Sequence, residues 1–148
     1  MFRGRYDQKV DEKGRTSLPR RFREELVRSY ADDRLVVARS LDRCLWAYPY
    51  KEWEAFEARV AEKGMFDPHI VQLKRAVISS AVECRVDTHG RILVPGNLRQ
   101  HAGIEHDVVW VGMIRHIEIW SAGTWRDVEG EALSNAEALG RSLADLGL

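Results

Sequence analysis

The sequence contains little of what marks a secreted, metal-binding or membrane protein. It has two cysteines in 148 residues, Cys44 and Cys84, and they form no Cys-x-x-Cys pair. Both lie in apolar or alternating stretches, so we expect small buried side chains in a reducing compartment. No stretch approaches the roughly 18 consecutive apolar residues of a membrane helix, and the first residues lack the apolar run of a signal peptide. These absences favour a soluble, cytoplasmic protein.

The spacing patterns of common catalytic and metal sites are also missing. The five histidines form no His-Glu-x-x-His group, and there is no Gly-x-Ser-x-Gly nucleophile motif. His116 and Glu118 would share one face of a strand, but a third metal ligand would have to come from elsewhere. We therefore expect no enzyme activity, no metal or other cofactor and no small-molecule substrate.

The net charge of the chain is zero, yet its charged residues are unevenly distributed. The 23 basic and 23 acidic side chains sum to zero, which at first argues against binding to nucleic acid. Residues 1–30 nevertheless carry nine basic and five acidic side chains, whereas residues 121–148 carry two basic and five acidic ones. A local basic face is sufficient for contact with phosphate groups, so the N-terminal region is a candidate for such contact.

An internal repeat organises the chain. The segment Asp11-Glu12-Lys13-Gly14-Arg15 recurs 76 positions later as Asp87-Thr88-His89-Gly90-Arg91. Further matches at this offset pair Leu18-Pro19 with Val94-Pro95, Phe22 with Leu98, and Arg23 with Arg99. The offset falls to 72 for Tyr48 and Trp120, as a length change of about four residues in a connecting loop would cause. The chain therefore consists of two related halves.

Each half has the same predicted order of elements. An alternating segment, residues 5–10 or 82–86, leads into the Asp-x-x-Gly-Arg turn, and a second extended run follows. Two such runs joined by a short glycine-containing loop predict a β-hairpin. A proline in a first-turn position and apolar residues four positions apart then predict a short amphipathic helix. Two further strands complete each half, so the module is a hairpin, a helix and two strands.

Longer helices are predicted between and after the halves. One covers residues 50–63, a second begins at the N-cap Asp67, and a third begins at Ser121. A final weak helix, with leucines at 139, 143 and 146, either packs on a partner or frays. We expect the five tryptophans to pack in the core or at a subunit interface and not to stack on bases. The predicted division is a first module at 5–50, a helical connection at 51–79, a second module at 80–123 and a C-terminal helical segment at 124–148.

The repeated loops favour binding to duplex DNA. A module of four short strands and one helix leaves unpaired edges and an incomplete core, which a second interlocked module would complete. The product would be a pseudo-symmetric β unit that displays both loops on one face. A two-stranded β-ribbon or its loop fits the major groove, where an arginine can bond to O6 and N7 of guanine.

The same residues give the chain a resemblance to the MraZ family, within the AbrB-like swapped-hairpin superfamily. A single Asp-x-x-Gly-Arg motif would be weak evidence, whereas two copies with flanking motifs in the right order are specific. The resemblance covers essentially the whole chain and is carried by Met1-Phe2-Arg3-Gly4, Asp11-x-Lys13-Gly14-Arg15, Leu18-Pro19, Tyr48-Pro49, Glu52-Trp53, Glu83-Cys84, Asp87-x-x-Gly90-Arg91, residues 98–103 and Val111-Gly112.

This resemblance implies a fold, an assembly and a function. The fold would be α+β and β-dominated, with two AbrB-like swapped-hairpin modules intertwined into a β-barrel-like domain with flanking helices. The assembly would be a ring-shaped homo-oligomer, whose several loops engage successive DNA repeats and so raise affinity. The function would be a nucleoid-associated transcriptional regulator, with repression the expected direction. It would bind short direct repeats in the promoter of its own cell-division and cell-wall gene cluster.

The resemblance also implies which residues contact DNA. The family's motif carries over onto Asp11, Gly14 and Arg15 in the first loop and onto Asp87, Gly90 and Arg91 in the second. Further candidate phosphate contacts are Arg3, Arg5 and Lys13.

Two questions about the loops stay open at this point. Arg15 and Arg91 either contact DNA, pair with the aspartate of their own loop, or do both. The arginines at 20, 21 and 23 either serve DNA binding or bridge subunits. In the second loop Thr88-His89 replaces Glu12-Lys13, which makes it less basic at neutral pH. We expect its DNA contact to be weaker or pH-sensitive.

The competing hypothesis is a protein that acts through a protein partner. Some AbrB-like modules belong to antitoxins, which bind DNA at one end and neutralise a toxin with a disordered tail. The acidic C-terminal stretch fits such a role. Antitoxins usually carry one hairpin module per chain, whereas this chain has two. The folding of residues 121–148 without a partner discriminates between the two hypotheses.

Overall fold

The computed structural model describes all 148 residues and contains eight strands and six helices. The predicted α+β class is confirmed, and the order of elements is the same in both halves. In chain order the elements are β1 (Arg5–Lys9), β2 (Arg15–Ser17), α1 (Arg20–Tyr30), β3 (Arg34–Arg39), β4 (Leu45–Pro49), α2 (Tyr50–Ala61), α3 (Pro68–Ala76), a 3-10 turn (Ile78–Ser80), β5 (Val82–Arg85), β6 (Arg91–Leu93), α4 (Gly96–His101), β7 (Asp107–Gly112), β8 (Ile117–Ser121), α5 (Ala122–Ser134) and α6 (Ala136–Asp145).

A six-stranded sheet joins the two halves of the chain. Its strands are antiparallel and follow the order β1-β7-β8-β4-β3-β5, with β1 and β5 at the open edges. Each half contributes its first strand to the other half, because β1 pairs with β7 and β5 pairs with β3. The halves meet where β4 pairs with β8, with Trp46 opposite Glu118. These two residues are 72 positions apart, like other repeat partners in this region, so an approximate two-fold axis passes between them.

A two-stranded ribbon lies outside that sheet and also combines the halves. β2 pairs with β6, and Thr16 lies opposite Ile92. The prediction of a locally paired hairpin in each half is therefore wrong. The turn between β1 and β2 forms, but beyond it these segments share one isolated bridge, from Val10 to Thr16. Alternation of apolar and polar side chains predicts a strand but not the strand with which it pairs. Here β1 and β2 both pair with strands of the other half.

Strand alternation builds a shared core on one face of the sheet. Leu35 and Val37 of β3, Leu45 of β4 and Trp110 of β7 face it and are fully buried. Helices α1 and α4 and the ribbon cover this core with the buried side chains Phe22, Leu26, Leu98 and Ile92. Burial of one such side chain contributes about 1.5–3 kcal/mol. Because both halves supply the core, neither half would keep it alone.

The opposite face of the sheet packs against helices in two patches. Trp53 of α2 and Val77, which follows α3, pack on β3. Trp120 of β8 packs on Trp125 of α5, with ring centroids 6.1 Å apart. All five tryptophans are buried or half-buried, which confirms the expectation that they serve packing.

The predicted helix starts at residues 67 and 121 are confirmed. Oδ1 of Asp67 accepts a hydrogen bond from the backbone N–H of His69 at 2.9 Å. Oγ of Ser121 accepts one from the backbone N–H of Thr124 at 3.3 Å. These side chains satisfy N–H groups that have no partner within the helix, so local sequence alone sets both boundaries.

The last helix, α6, packs on very little of the chain. Leu139, Leu143 and Leu146 remain 47%, 50% and 74% exposed, and they follow one another at helical spacing. The predicted helix is therefore present, with its apolar stripe uncovered. A helix of ten residues is marginal in water unless it packs against something. None of the six helices has the length and apolar character needed to cross a membrane.

Candidate nucleic-acid interface

The first Asp-x-x-Gly-Arg segment forms a tight loop around the carboxylate of Asp11. Its Oδ1 accepts hydrogen bonds from the backbone N–H groups of Lys13 and Arg15, both at 2.9 Å. Its Oδ2 accepts one from Nε of Arg15 at 2.7 Å. The backbone closes the loop, because Gly14 N–H donates to the Asp11 carbonyl at 3.0 Å. Aspartate suits this position since its short side chain can bond to the backbone two residues on.

The second loop repeats this geometry around Asp87. Oδ1 of Asp87 accepts hydrogen bonds from the backbone N–H groups of His89 and Arg91, at 2.8 and 2.9 Å. Oδ2 accepts a longer one from Nε of Arg91, at 3.2 Å. Gly90 N–H donates to the Asp87 carbonyl at 3.0 Å. The repeat in the sequence is thus a repeat of one loop structure.

The glycines fasten each loop to the other half of the chain. Gly14 has φ +89° and Gly90 has φ +77°, a conformation that glycine adopts without steric cost. The Gly14 carbonyl accepts a hydrogen bond from Val94 N–H, and the Gly90 carbonyl accepts one from Leu18 N–H, both at 2.9 Å. Each loop is therefore held by the residue that follows the ribbon strand of the other half, because Val94 follows β6 and Leu18 follows β2.

The ribbon presents the loop arginines on its outer side. Thr16 and Ile92, at its centre, are each 1% exposed and point inward. Their neighbours point outward and form what we call the ribbon face: Arg15, Ser17, Arg91 and Leu93. From the spacing within and between strands, the Cα atoms of the two arginines lie about 8 Å apart. The two loops thus stand at opposite ends of one small surface.

Both loop arginines keep donors free. The pairing of Arg15 with Asp11 and of Arg91 with Asp87 is confirmed, and it uses only Nε in each case. The Nη groups of the two arginines have no hydrogen-bond partner in the protein. The two side chains are 34% and 29% exposed. A guanidinium held at Nε is oriented, and it retains the Nη pair that bidentate contacts use.

The loop aspartates are stabilised in their charged form. The backbone N–H of Arg15, assisted by the Arg15 guanidinium and the N–H of Lys13, lowers the pKa of Asp11 below its ordinary value. The backbone N–H of Arg91 does the same for the pKa of Asp87, assisted by the N–H of His89. In both loops a backbone N–H group gives the largest of these effects on the pKa.

The remaining predicted contacts lie in different places. Lys13 is exposed at the tip of the first loop. Arg3 and Arg5 are exposed at the opposite end of β1, and six extended residues separate Arg5 from Asp11, or about 20 Å. Arg5 also lies 3.4 Å from Asp7 and 3.7 Å from Glu129. The structure therefore does not bring Arg3 and Arg5 to the loops, and their contact with DNA stays a prediction.

Two other arginines lie against the loops, each from the opposite half. A Cβ built on Gly14 would lie 2.9 Å from Nε of Arg99, and one built on Gly90 would lie 2.8 Å from Nη1 of Arg23. Nε of Arg99 donates to the Val94 carbonyl at 3.0 Å. The sequence contains one signal of this arrangement, because Arg23 and Arg99 correspond at the 76-residue offset. Their crossing to the opposite loop follows only from the paired halves.

Neither cysteine belongs to this surface. Burial raises the pKa of the Cys44 thiol far above its ordinary range and that of Cys84 to about 11. Both cysteines are free and buried, which confirms the expectation of small buried side chains. The structure contains no group of three or more histidine, cysteine, aspartate or glutamate side chains that could hold a metal ion.

Comparison with known proteins agrees with this repeated architecture. The family model described as "MraZ protein, putative antitoxin-like" matches residues 1–75 and 77–145. Proteins named Transcriptional regulator MraZ are similar over the full chain: 36% identical in a Thermoanaerobacter species and 38% in Pelotomaculum thermopropionicum, each over 148 residues. The protein of that name in Geotalea daltonii is 39% identical over 160 residues. The matches cover 100% of this chain and 99–100% of each relative. The chain belongs to the MraZ family.

Proposed function

We propose that this chain is a sequence-specific, DNA-binding transcriptional regulator. The observation that carries the proposal is the ribbon face, where two equivalent loops present Arg15 and Arg91 with free Nη groups. The names of its relatives support the same class of function. We propose no enzyme activity, because the surface offers oriented positive groups and no nucleophile beside a base.

The ribbon face suits the major groove of duplex DNA. The groove is about 12 Å wide and admits a two-stranded β-ribbon, and the two loop arginines lie about 8 Å apart. An arginine whose Nε is held by Asp11 or Asp87 can offer its Nη donors to O6 and N7 of guanine. Lys13, at the tip of the first loop, supports contact with a phosphate. The proposed contact set is thus the two loops, with Gly14 and Gly90 setting their shape.

The two ends of the ribbon face differ, which gives it a direction. Ser17 corresponds to Leu93 and Lys13 corresponds to His89 in the repeat. Arg15 lies opposite Leu93, and Arg91 lies opposite Ser17. The end at the first loop therefore offers the permanent charge of Lys13 and the Leu93 side chain, which is 56% exposed and suits a thymine methyl group. The end at the second loop offers His89 and the Ser17 hydroxyl. A directional surface fits direct repeats, whose copies all point the same way. We propose that each subunit engages one repeat through this face.

The proposed architecture is a pair of AbrB-like swapped-hairpin modules, at 5–50 and 80–123. Residues 51–79 connect them, and residues 124–148 follow as a helical segment. The exchange of β1 and β5 between the halves supports this assignment. The ribbon packed over the sheet supports a β-barrel-like domain, although β1 and β5 do not close the sheet by pairing.

We further propose that subunits assemble into a homo-oligomeric ring at the nucleoid. The exposed leucines of α6 support self-association, since an apolar stripe of this kind is usually covered. The target would be direct repeats in the promoter of the chain's own cell-division and cell-wall gene cluster, with repression as the outcome. Several ribbon faces on one ring would raise the affinity for successive repeats.

An antitoxin that binds a toxin through a disordered tail is less well supported. Residues 122–134 and 136–145 form helices without a partner chain, and Trp125 packs on Trp120. This order is the opposite of what a tail that folds on its target requires. A toxin partner would instead have to bind the uncovered stripe of α6.

The test is binding to the DNA immediately upstream of the chain's own gene. Labelled duplexes with the native repeats and with scrambled repeats of equal composition are titrated over a salt series. We expect tight, repeat-dependent binding that weakens steeply as salt rises, because several phosphates release counterions. Equal affinity for the two duplexes would overturn the proposed function and turn the search to a protein partner.

A further inference from the structure

We propose that Arg23 and Arg99 complete the DNA-binding loops of the opposite half. Arg99 of α4 would serve the first loop, and Arg23 of α1 would serve the second. Each would supply a contact to a DNA phosphate beside the loop. This inference rests on the proposed function, and it adds a residue from the other half of the chain to each loop.

The guanidinium groups of Arg23 and Arg99 lie directly against the loop glycines. Both loop glycines are buried, and an arginine of the other half lies against each of them, together with the Val94 carbonyl oxygen at Gly14. A Cβ on Gly14 would lie 2.9 Å from Nε and 3.0 Å from Cζ of Arg99. A Cβ on Gly90 would lie 2.8 Å from Nη1 of Arg23. Each glycine therefore does two things: it adopts a positive φ, and its lack of a side chain lets a guanidinium from the other half lie against the loop backbone.

The two loops carry no net charge of their own. The first loop contains Asp11, Glu12, Lys13 and Arg15, whose charges cancel. The second contains Asp87 and Arg91, whose charges also cancel when His89 is neutral. Neither loop alone attracts a polyanion at neutral pH. One arginine from the opposite half changes each loop from neutral to positive, which binding to phosphate requires.

Arg23 and Arg99 are not neutralised within the chain. Neither forms an ion pair with a carboxylate, and Arg99 donates only to the Val94 carbonyl. The hollow beside Arg23 also contains Asp32, Asp33 and Asp87. Those carboxylates are paired with Arg34, Arg85 and Arg91 respectively. Arg23 is exposed and Arg99 half-buried, so their charges can reach a phosphate.

The same arrangement of arginine and loop occurs twice in the molecule. Arg23 follows Pro19 by four residues, and Arg99 follows Pro95 by four. In each helix the arginine N–H bonds to that proline's carbonyl at 3.0 Å. The two-fold relation between the halves then directs each arginine to the loop of the other half. A chance surface arginine would not be expected at both equivalent positions.

The experiment removes the charge of Arg23 or Arg99 and compares double variants whose two residues lie in different halves with double variants whose two residues lie in the same half. Arg23→Gln and Arg99→Gln are measured alone and together with Arg15→Ala and Arg91→Ala. Arg141→Gln, an exposed arginine of α6, is the matched control. Affinities for the native and scrambled upstream duplexes are measured over a salt series. Light scattering and thermal unfolding report assembly and fold.

We expect each Gln variant to reduce the slope of log affinity against log salt by about one per bound subunit, for both duplexes alike. Arg141→Gln leaves the slope unchanged. Arg99→Gln should couple to Arg15→Ala, and Arg23→Gln to Arg91→Ala, with smaller coupling in the uncrossed pairs. Arg99→Lys, which keeps the charge, should retain the slope even where its hydrogen bond to Val94 is altered.

Unchanged slopes in correctly assembled Gln variants would overturn the inference while leaving the proposed function intact. If Arg23→Gln coupled to Arg15→Ala, which lies in the same half, the assignment of each arginine to the loop of the opposite half would be wrong. If Arg99→Gln fails to fold, Arg23→Gln still decides, because Arg23 is exposed and its replacement should leave the fold intact. Loss of preference for native over scrambled DNA in the unmodified protein would refute the proposed function itself, so the two failures are distinct.

Discussion

Thr16 lies directly opposite Ile92 at the centre of the ribbon, and the two residues correspond in the internal repeat. The approximate two-fold axis of the molecule therefore passes between them. It places Arg15 and Arg91 at equivalent positions on the two sides of that centre. The arrangement of the ribbon face thus follows from the pairing of these two buried residues beneath it.

Replacing Thr16 with valine should stabilise the protein. Thr16 is 1% exposed and its Oγ1 has no hydrogen-bond partner, whereas Ile92 opposite it is apolar. A buried polar group without a partner costs about 1–3 kcal/mol, and valine has nearly the same shape. We expect the free energy of unfolding to rise by about 1 kcal/mol in denaturant titrations, with DNA binding unchanged. A loss of stability would mean that the hydroxyl has a role that the packing does not reveal.

Alanine should be tolerated less well at Gly14 than at Gly90. Both residues have positive φ, which costs an L-residue about 1–2 kcal/mol. At Gly14 the new Cβ would also lie 2.8 Å from the Val94 backbone carbonyl, whereas at Gly90 it would meet the flexible end of Arg23. Thermal unfolding of the two variants measures the difference. Equal destabilisation would show that the loop backbone near Val94 can move.

His89→Lys should strengthen binding to the upstream DNA at neutral pH. The variant gives the second loop the same charge at its tip that Lys13 gives the first, and an added phosphate contact gains about two- to tenfold at low salt. His69→Lys, on the exposed side of α3, controls for a general increase in charge. If the two variants raised the affinity for the upstream DNA equally, the second loop would not belong to the DNA interface.

The loops and helix starts could be predicted from the sequence, whereas the strand partners could not. Asp11 and Gly14 act within five residues, as Asp67 does at its helix, and such local chemistry is visible in the sequence. The pairing of β1 with β7 connects residues about one hundred positions apart, and alternation along β1 suits any neighbour. For the same reason the position of Arg99 beside Gly14 needed the structure. The resemblance to the MraZ family is specific because local motifs carry it.

Charged residues in the stripe of α6 should reduce the assembly. Leu139→Glu with Leu143→Glu places two charges where we propose that another subunit packs, and each lost leucine contact removes about 1.5–3 kcal/mol. Leu41→Glu, at an exposed leucine outside α6, is the control. Light scattering should give a mass well above 17.0 kDa for the unmodified protein and a smaller one for the double variant. A monomeric unmodified protein would contradict the proposed ring.

Whether the ribbon face binds DNA is decided by comparing the affinities of the Arg15→Ala, Arg91→Ala and Arg141→Ala variants for the native upstream repeats. The two loop variants keep the aspartate and its backbone hydrogen bonds, so their loops should stay formed. Each lost bidentate contact costs about 1–3 kcal/mol per subunit. We predict a loss of at least about tenfold for Arg15→Ala, a smaller but clear loss for Arg91→Ala, and none for Arg141→Ala. Undiminished affinity of correctly assembled Arg15→Ala and Arg91→Ala proteins would contradict the claim that the ribbon face binds DNA.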